Sequence, residues 1–395
     1  MPKKYRVEII SDHPTQWEGP FFGYLQANSS LDVHVFYNNR QGLGVEIESE
    51  SKILVKHDIP GLVNGYDHTF LDEFGSSEGV FEKVSESGQF DVFIVEGHVG
   101  ELQKVAMKWG KKRKIPIVYR SDSNLLYDSP LWKRIIKKFL LPHFFKQFSA
   151  FIALSTPAAE YLRHYRAPDK KIFLSTYMVH NEWFESESNR WRQNREAIKR
   201  ELGLGGFSKL VLAILRFEER ENPIEFLQVA AIYKGWVPKV GFVLIGDGTR
   251  REEVEKFVKR EGLDNVVLPG YLSLSALPKY YAISDVFVHP ARKECWGLSV
   301  NEAMACGVPV VISTGLGCRY DLVPSDQYGL VYPVGDPNKL AKAIRKILED
   351  NKRANAIGHA AKERVNFFSY LNAAKTFESA VGYAIQKEGD GGGVS

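Results

Sequence analysis

Short runs of Val, Ile, Leu and Phe alternate along the chain with segments whose apolar positions recur at helical period, and this alternation occurs twice. In the first half the runs YRVEII (5–10), LDVHVFY (31–37), FDVFIVEG (90–97), IPIVYR (115–120) and AFIALS (150–155) predict strands. In the second half KLVLAILRF (209–217), VGFVLIGDG (240–248), NVVLPGYL (265–272), DVFVHPA (285–291) and PVVIST (309–314) do the same. Most of these runs are apolar at successive positions, as strands covered on both faces by helices are. The expectation is an α/β chain with two Rossmann-like parallel-sheet domains.

Between the halves lies a charged stretch, ESESNRWRQNREAIKRELGLGGFSK (185–209), which predicts one helix from Arg190 to Leu202 closed by Gly203. The expected division is therefore an N-terminal domain over 1–185, a linker helix over 186–207 and a second domain over 208–365. The stretch 366–386 has helical periodicity. The end, KEGDGGGVS (387–395), has nothing to bury and is expected to be disordered.

Composition narrows the function classes. A chain of 395 residues with 44% apolar and 25% charged positions is large enough for two cores. A formal net charge of +4 is too even to argue for nucleic acid. The cysteines Cys295, Cys306 and Cys318 are odd in number and lack CxxC spacing, so neither a disulfide framework nor a zinc site is expected. Cys295 and Cys306 read as small packing residues. The opening MPKKYRVEIISDHP lacks the apolar core of a signal peptide, and no run approaches a membrane span. A cytoplasmic location is expected.

Ligands of open parallel sheets sit off the carboxyl ends of the strands, so the residues just after each strand matter most. In the second half these are Arg216, Gly246-Asp247-Gly248, Gly270-Tyr271 and His289 to Glu294. A helix is expected to open near Gly297-Leu298-Ser299 and to be capped by Gly307. Glu294 and Glu302 flank that opening, eight positions apart, which as helix would cover about 12 Å. Helix N-terminal amides grip phosphate and carboxylates grip vicinal hydroxyls, so the stretch suits a diphosphate with a sugar at each end. By spacing alone, an ordinary surface loop followed by a helix remains the simpler reading.

The full segment SDVFVHPARKECWGLSVNEAMACGVPVVIS (284–313) resembles the donor-site signature of the family-4 retaining glycosyltransferases with the GT-B fold, also grouped as group 1 glycosyltransferases. IGDGTRREEVEKFVKREGL (245–263), VVLPGYLSLSALPKYYAIS (266–284) and YGLVYPVGDPNKLAKAIRKIL (328–348) resemble further family elements in the same order. The resemblance is strong over about 208–350 and thinner in the first half. It implies a GT-B fold with two domains facing a cleft, and hexosyl transfer with retention from a nucleotide diphosphate sugar to a hydroxyl. The acceptor would be a glycan, as in polysaccharide biosynthesis, a lipid-linked sugar or a small molecule. The helix over 366–386 would cross back to the N-terminal domain.

By the same resemblance Glu294 contacts the donor sugar, Glu302 the ribose and Arg216 the diphosphate. Gly246, Gly248, Trp296, Gly297, Leu298 and Ser299 line the donor site, and Tyr271 and Leu272 lie on the nucleobase side. No metal cofactor is implied. His98 resembles a histidine that faces the donor sugar, against the alternative of a partly buried or helix-capping residue. On the acceptor side stand Gly19, with the aromatics Trp17, Phe21 and Phe22, and Asp122. One departure stands out: the family's lysine five positions after the arginine is here Glu221, and Arg220 is the nearest cation that would replace it. The alternative reading is a non-catalytic nucleotide-sugar or glycan-binding protein of the same fold; a sugar-nucleotide epimerase is a third.

The segment LWKRIIKKFLLPHFFKQF (131–148) interleaves cations with bulky apolar residues. Two readings hold: a structural helix with its apolar face buried and its basic face solvated, or contact with an anionic membrane surface at the cytoplasmic side. Pro142 is expected to interrupt the run.

Overall fold

The computed structural model describes residues 5–43, 45–47, 54–56, 62–71, 79, 81, 88–127 and 130–391. The chain divides into two compact units. One comprises residues 1–43, 59–177 and 370–395, and the other residues 44–58 and 178–369.

Among the described residues of the first unit are β1 (Tyr5–Ser11) and β2 (Leu31–Tyr37), with α1 (Glu18–Asn28) between them. A separate antiparallel pair, β3 (Val45–Ile47) and β4 (Leu54–Lys56), falls in the stretch assigned to the second unit. The main sheet continues with β5 (Asp67–Phe70), β6 (Val92–Glu96), β7 (Ile117–Ser121), β8 (Ala150–Ala153) and β9 (Ile172–Leu174). Its order is β5-β2-β1-β6-β7-β8-β9, with every pairing parallel. Helices α2 (Glu101–Arg113), α3 (Leu131–Phe145) and α4 (Thr156–His164) serve the crossovers. Phe93, Trp109, Tyr119, Phe148 and Phe151 lie at the centre of the buried cluster.

The second unit opens with α5 (Asn181–Arg192) and α6 (Arg195–Glu201), not the single helix predicted from Arg190 to Leu202. The break falls at Gln193 and Asn194, where the poor helix former Asn194 leaves the helical conformation, and Gly203 closes α6 at a φ of 72°. A six-stranded parallel sheet follows: β10 (Lys209–Ile214), β11 (Val240–Ile245), β12 (Val266–Gly270), β13 (Val286–His289), β14 (Val310–Ser313) and β15 (Leu330–Tyr332). The order is β12-β11-β10-β13-β14-β15. Its helices are α7 (Pro223–Ile232), α8 (Arg251–Glu261), α9 (Leu277–Ile283), α10 (Leu298–Ala305), α11 (Pro337–Leu348) and α12 (Asn351–Val365). Phe226, Tyr233, Phe242, Leu244 and Ile344 form its core.

The chain then returns to the first unit as α13 (Tyr370–Gly391), whose Phe377, Ala380, Val381 and Ala384 are buried. The expected disordered tail is thus helical as far as Gly391, because a helix nucleated by packing propagates at little cost. The remaining 392–395 lie outside the described residues.

Both sheets reverse direction of growth once, between β1 and β6 in the first and between β10 and β13 in the second, where Val211 pairs with Val286. Such a reversal splays the loops that follow the two strands and opens a crevice at the carboxyl edge. In the second unit the loop after β10 also meets the loop after β11. Gly246 has a φ of 138°, and a Cβ built there would stand 1.7 Å from the Leu215 carbonyl oxygen. We expect Gly246→Ala to lower the stability of this unit by about 2 kcal/mol or more, since the loops must part to admit a methyl group; urea unfolding measures it.

Candidate functional site

The crevice of the second sheet is lined by residues 215–222, after β10, and 290–297, after β13. The two loops are tied together. The Arg220 carbonyl accepts from the Arg292 amide at 2.7 Å and the Lys293 amide at 3.2 Å. Asn222, at a left-handed φ of 58°, precedes α7 and sits where the chain turns away from the crevice. Glu221 is turned inward with it, and its Oε2 accepts the Arg216 backbone N–H at 2.8 Å. Burial, with the nearby charge of Glu294, raises the Glu221 carboxyl to about 7.

Arg220 points the other way. Its Nη1 donates to Glu294 Oε2 at 2.5 Å and its Nε to Glu218 Oε2 at 3.1 Å, and Glu221 Oε1 lies 3.6 Å from Nη2. The guanidinium stands among three carboxylates, which together exceed its charge. Beneath it His289 is buried at the end of β13, and burial, with the charge of Arg220, lowers it to about 3, so the ring is neutral.

Glu294 is not part of the helix that follows. It forms an isolated parallel bridge with Leu316, donating its N–H to the Gly315 carbonyl at 3.1 Å and accepting from Gly317 at 2.8 Å. Gly297, at a φ of 96°, then turns the chain into α10, where a Cβ would meet Leu316 at 2.9 Å. The first amides of α10, at Leu298 and Ser299, precede the first intrahelical bonds and face the helix's N-terminal end. Glu302, one turn on, is only 4% exposed and accepts from the Tyr281 hydroxyl at 2.8 Å. Burial raises it to about 7, against the pull of the Tyr281 bond. The Gly-Asp-Gly turn packs on the loop after β10, with the Phe217 amide donating to the Asp247 carbonyl at 2.8 Å and Arg251 Nη1 to Asp247 Oδ2 at 3.0 Å.

The first unit has its own polar centre off the carboxyl ends of β6 and β7. Arg120 is buried, and its Nη1 donates to Glu18 Oε1 at 2.5 Å and to Glu96. The guanidinium lies 5.0 Å from the Trp17 ring and 5.6 Å from Phe377. Burial, with the charge of Glu18, raises Glu96 above the ordinary carboxylate range, opposed by Arg120. His98 is partly buried, with Nδ1 2.8 Å from the Tyr119 hydroxyl and its ring 5.1 Å from Phe144. Asp122 Oδ2 accepts from Tyr177 at 3.0 Å.

Residues 194–364, which carry the whole crevice of the second sheet, match the family model described as Glycosyl transferases group 1. This segment is a group 1 glycosyl transferase domain. Sulfoquinovosyl transferase of Arabidopsis thaliana is 34% identical to the chain over 140 residues, 35% of this chain and 27% of that protein. 2-Deoxystreptamine N-acetyl-D-glucosaminyltransferase of Streptomyces fradiae is 31% identical over 165 residues, 41% of this chain and 39% of that protein. The aligned stretches thus span between a quarter and two fifths of those relatives. Among solved structures, sucrose-phosphate synthase from Thermosynechococcus elongatus superposes with a TM-score of 0.69 at 22% identity, covering 95% of this chain and 98% of that one. Anabaena HepE, in complex with UDP and glucose, gives 0.70 at 15% identity, with coverages of 96% and 100%. At these identities the likeness shows the fold, which is GT-B.

Within the glycosyl transferase domain, Arg216, Arg220, Glu294 and Gly297 come together around the reversal between β10 and β13, with Gly246 and Gly248 beside them. Tyr271 is exposed just after β12, next to Leu272. Two expectations need correction, neither of them at the glutamates: the Leu316 bridge holds Glu294 in extended chain before α10, and Glu302 lies within it. Trp296, expected at the donor, is buried and donates through Nε1 to Asn301 Oδ1 at 2.7 Å, so it supports the helix start from below. Gly19, expected on the acceptor side, is a packing glycine of α1, where a Cβ would stand 2.0 Å from the Leu62 carbonyl oxygen. Phe21 and Phe22 are likewise in the core. Sequence reasoning missed Tyr281 and the Glu18–Arg120–Glu96 group. A charged residue ending an otherwise apolar strand, at Glu96 and Arg120, was the available signal for the last.

The glutamates of the glycosyl transferase domain give a pH signature. Glu221 and Glu302 titrate near 7 in the fold and near 4.5 when free. What they contribute to stability is complete below about pH 4.5 and lost as pH rises through 7, because ionisation is resisted only in the fold. We expect Glu221→Gln, which keeps the acceptor for the Arg216 amide, to flatten the decline in melting temperature between about pH 4.5 and 7. In the first unit, Arg120→Met leaves two buried carboxylates without a cation and is expected to cost about 3–5 kcal/mol in urea unfolding, partly regained by adding Glu96→Gln.

Proposed function

We propose that the protein transfers a glycosyl group from a nucleotide diphosphate sugar to a hydroxyl of a glycan, lipid-linked or small-molecule acceptor, with retention at the anomeric carbon. The carrying observation is the meeting, at the reversal of the second sheet, of Arg216, Arg220 and Glu294 with the N-terminal end of α10. A diphosphate needs converging positive charge and N–H donors, and the transferred sugar needs a hydroxyl acceptor beside them. In this reading the amides of Gly297 to Ser299 and Arg216 hold the diphosphate, Glu294 the sugar hydroxyls and Glu302 the ribose. The UDP and glucose complex of HepE and the sugar-transferring relatives support the same ligand class.

Leaving-group stabilisation in this reading falls to arginines and helix amides and not to a metal ion. Fixed charges aimed at the phosphate oxygens stabilise the developing negative charge without reorganisation. Arg220 is the second cation, and its bond to Glu294 gives the donor a specific task. The diphosphate competes for the guanidinium, and the Glu294 carboxylate, released, turns to the sugar.

A second reading, nucleotide-sugar binding without turnover, is favoured by one observation: Arg220 already stands among Glu218, Glu221 and Glu294 and offers little net positive charge. Thermal unfolding with UDP, GDP, ADP and their sugar conjugates, followed by product analysis with acceptor mixtures, decides between the two. A ligand at about 100 times its Kd adds roughly 2.7 kcal/mol of apparent stability. Transfer is expected, with product of the donor's anomeric configuration and undiminished by EDTA. A shift with nucleotide sugars but no product establishes the binding reading, and no shift with any of them overturns both. Glu302→Ala is expected to weaken free nucleotide binding at least tenfold, whereas Glu294→Ala spares free nucleotide and reduces turnover by about 10²-fold or more.

A further inference from the structure

Helix α3 carries its large apolar side chains on the outside. Leu131, Trp132, Ile135, Ile136, Phe139 and Leu140 are between 46% and 72% exposed. At about 100° per residue these six fall within one half of the helix perimeter. The cations Lys133, Arg134, Lys137 and Lys138 fall in the other half, with Lys133 and Lys138 just beyond the two edges of the apolar face. The helix is held to the first unit through its last turns, where Phe145 is buried and Leu141 and Phe144 pack on the core from the side opposite the apolar face. Pro142 does not interrupt it. Of the two readings of this segment, the buried apolar face with a solvated basic one is therefore overturned.

An outward apolar face on an exposed helix calls for an occupant, and the charge pattern selects among candidates. The fifteen residues of α3 contain four Lys or Arg and no acidic residue. A second copy of the chain would set these cations against their own kind. A bilayer with anionic headgroups accepts both parts: apolar rings and branches enter the acyl boundary, while the Lys133 and Lys138 stems reach outward along the flanks to phosphates. Trp132, more than half exposed at the start of the stripe, is the residue type enriched at that boundary. Among the described residues no helix is long and apolar enough to cross a membrane, and α3, at fifteen residues, is of a length to lie on one. Lys104 of α2 adds a further cation nearby, since it and Lys137 both act on His98.

We propose that α3 docks the protein on the surface of an anionic lipid bilayer, with its apolar face in the headgroup boundary and the flanking Lys133 and Lys138 on the phosphates. The docking needs neither donor nor acceptor, so it stands independently of the transfer reaction proposed above.

Flotation of the full chain with vesicles tests it, comparing phosphatidylcholine alone with phosphatidylcholine containing roughly a third phosphatidylglycerol. Binding to the anionic vesicles at least tenfold tighter than to the neutral ones, falling with salt, is expected. Replacing Lys133 and Lys138 by Gln is expected to weaken it by about fivefold per cation, about 25-fold together. Phe139→Ser with Leu140→Ser leaves the charges and is expected to abolish retention at moderate salt. All four substituted side chains are exposed, and unchanged melting temperatures verify that the variants fold. Equal binding to both vesicle types, or indifference to both sets of substitutions, overturns the proposal. So does a concentration-dependent dimer in sedimentation velocity that Phe139→Ser with Leu140→Ser dissociates, because a second copy would then be the occupant.

Discussion

Every pairing in the two main sheets is parallel, and this single constraint places the candidate chemistry. Parallel strands send all their carboxyl ends to one edge, and a sheet that reverses its order leaves the loops of two central strands unable to close over each other. In the second unit those loops start at Leu215 and Pro290. Their separation in sequence is large, yet the pairing of Val211 with Val286 fixes them side by side. Arg220 and Glu294 meet because β10 and β13 are neighbours, and the N-terminus of α10 is delivered to the same place by the chain leaving β13.

Electrostatics then decides how the loops are held. Three carboxylates surround one guanidinium in the glycosyl transferase domain, and two surround another in the first unit. An excess of acid in a partly dry crevice raises carboxyl pKa values, as burial and Glu294 do for Glu221. It also leaves the site short of positive charge until a ligand rearranges it. The same excess explains why Glu221, at the position where the resemblance implies a lysine, is not a simple loss of a phosphate contact. Its side chain faces inward onto the Arg216 amide and serves the loop, while its neighbour Arg220 faces the crevice.

The sheets were legible because strands covered on both faces are mostly apolar at successive positions, and ten such runs mark strands in the structure. Of the five strands overlooked among the described residues, β5 (DHTF), β9 (IFL) and β15 (LVY) are edge strands of the two main sheets, short and paired on one side, and β3 and β4 form a separate three-residue pair. The site was legible where glycine or charge breaks an apolar pattern, as at Gly246, Glu294 and Arg216. It was not legible where a residue's role depends on what lies above it in space. Trp296 and Gly19 stood in the right stretches, but an indole bonded to Asn301 and a glycine pressed against the Leu62 carbonyl are packing solutions that one-dimensional spacing does not contain.

Helix α3 marks the same limit from the other side. Periodicity established that its apolar and basic positions separate onto two faces, and by itself that pattern fits a helix packed on a core equally well. Which face turns inward is set by the residues that anchor it, here Leu141, Phe144 and Phe145 near its end, all on the basic half. Three anchors in the last turns hold the helix to the core, while the six apolar side chains of the first three turns stay exposed. The apolar face is consequently left for something outside the fold. A membrane surface satisfies it while also satisfying the cations on its flanks, which an apolar protein partner would leave unpaired.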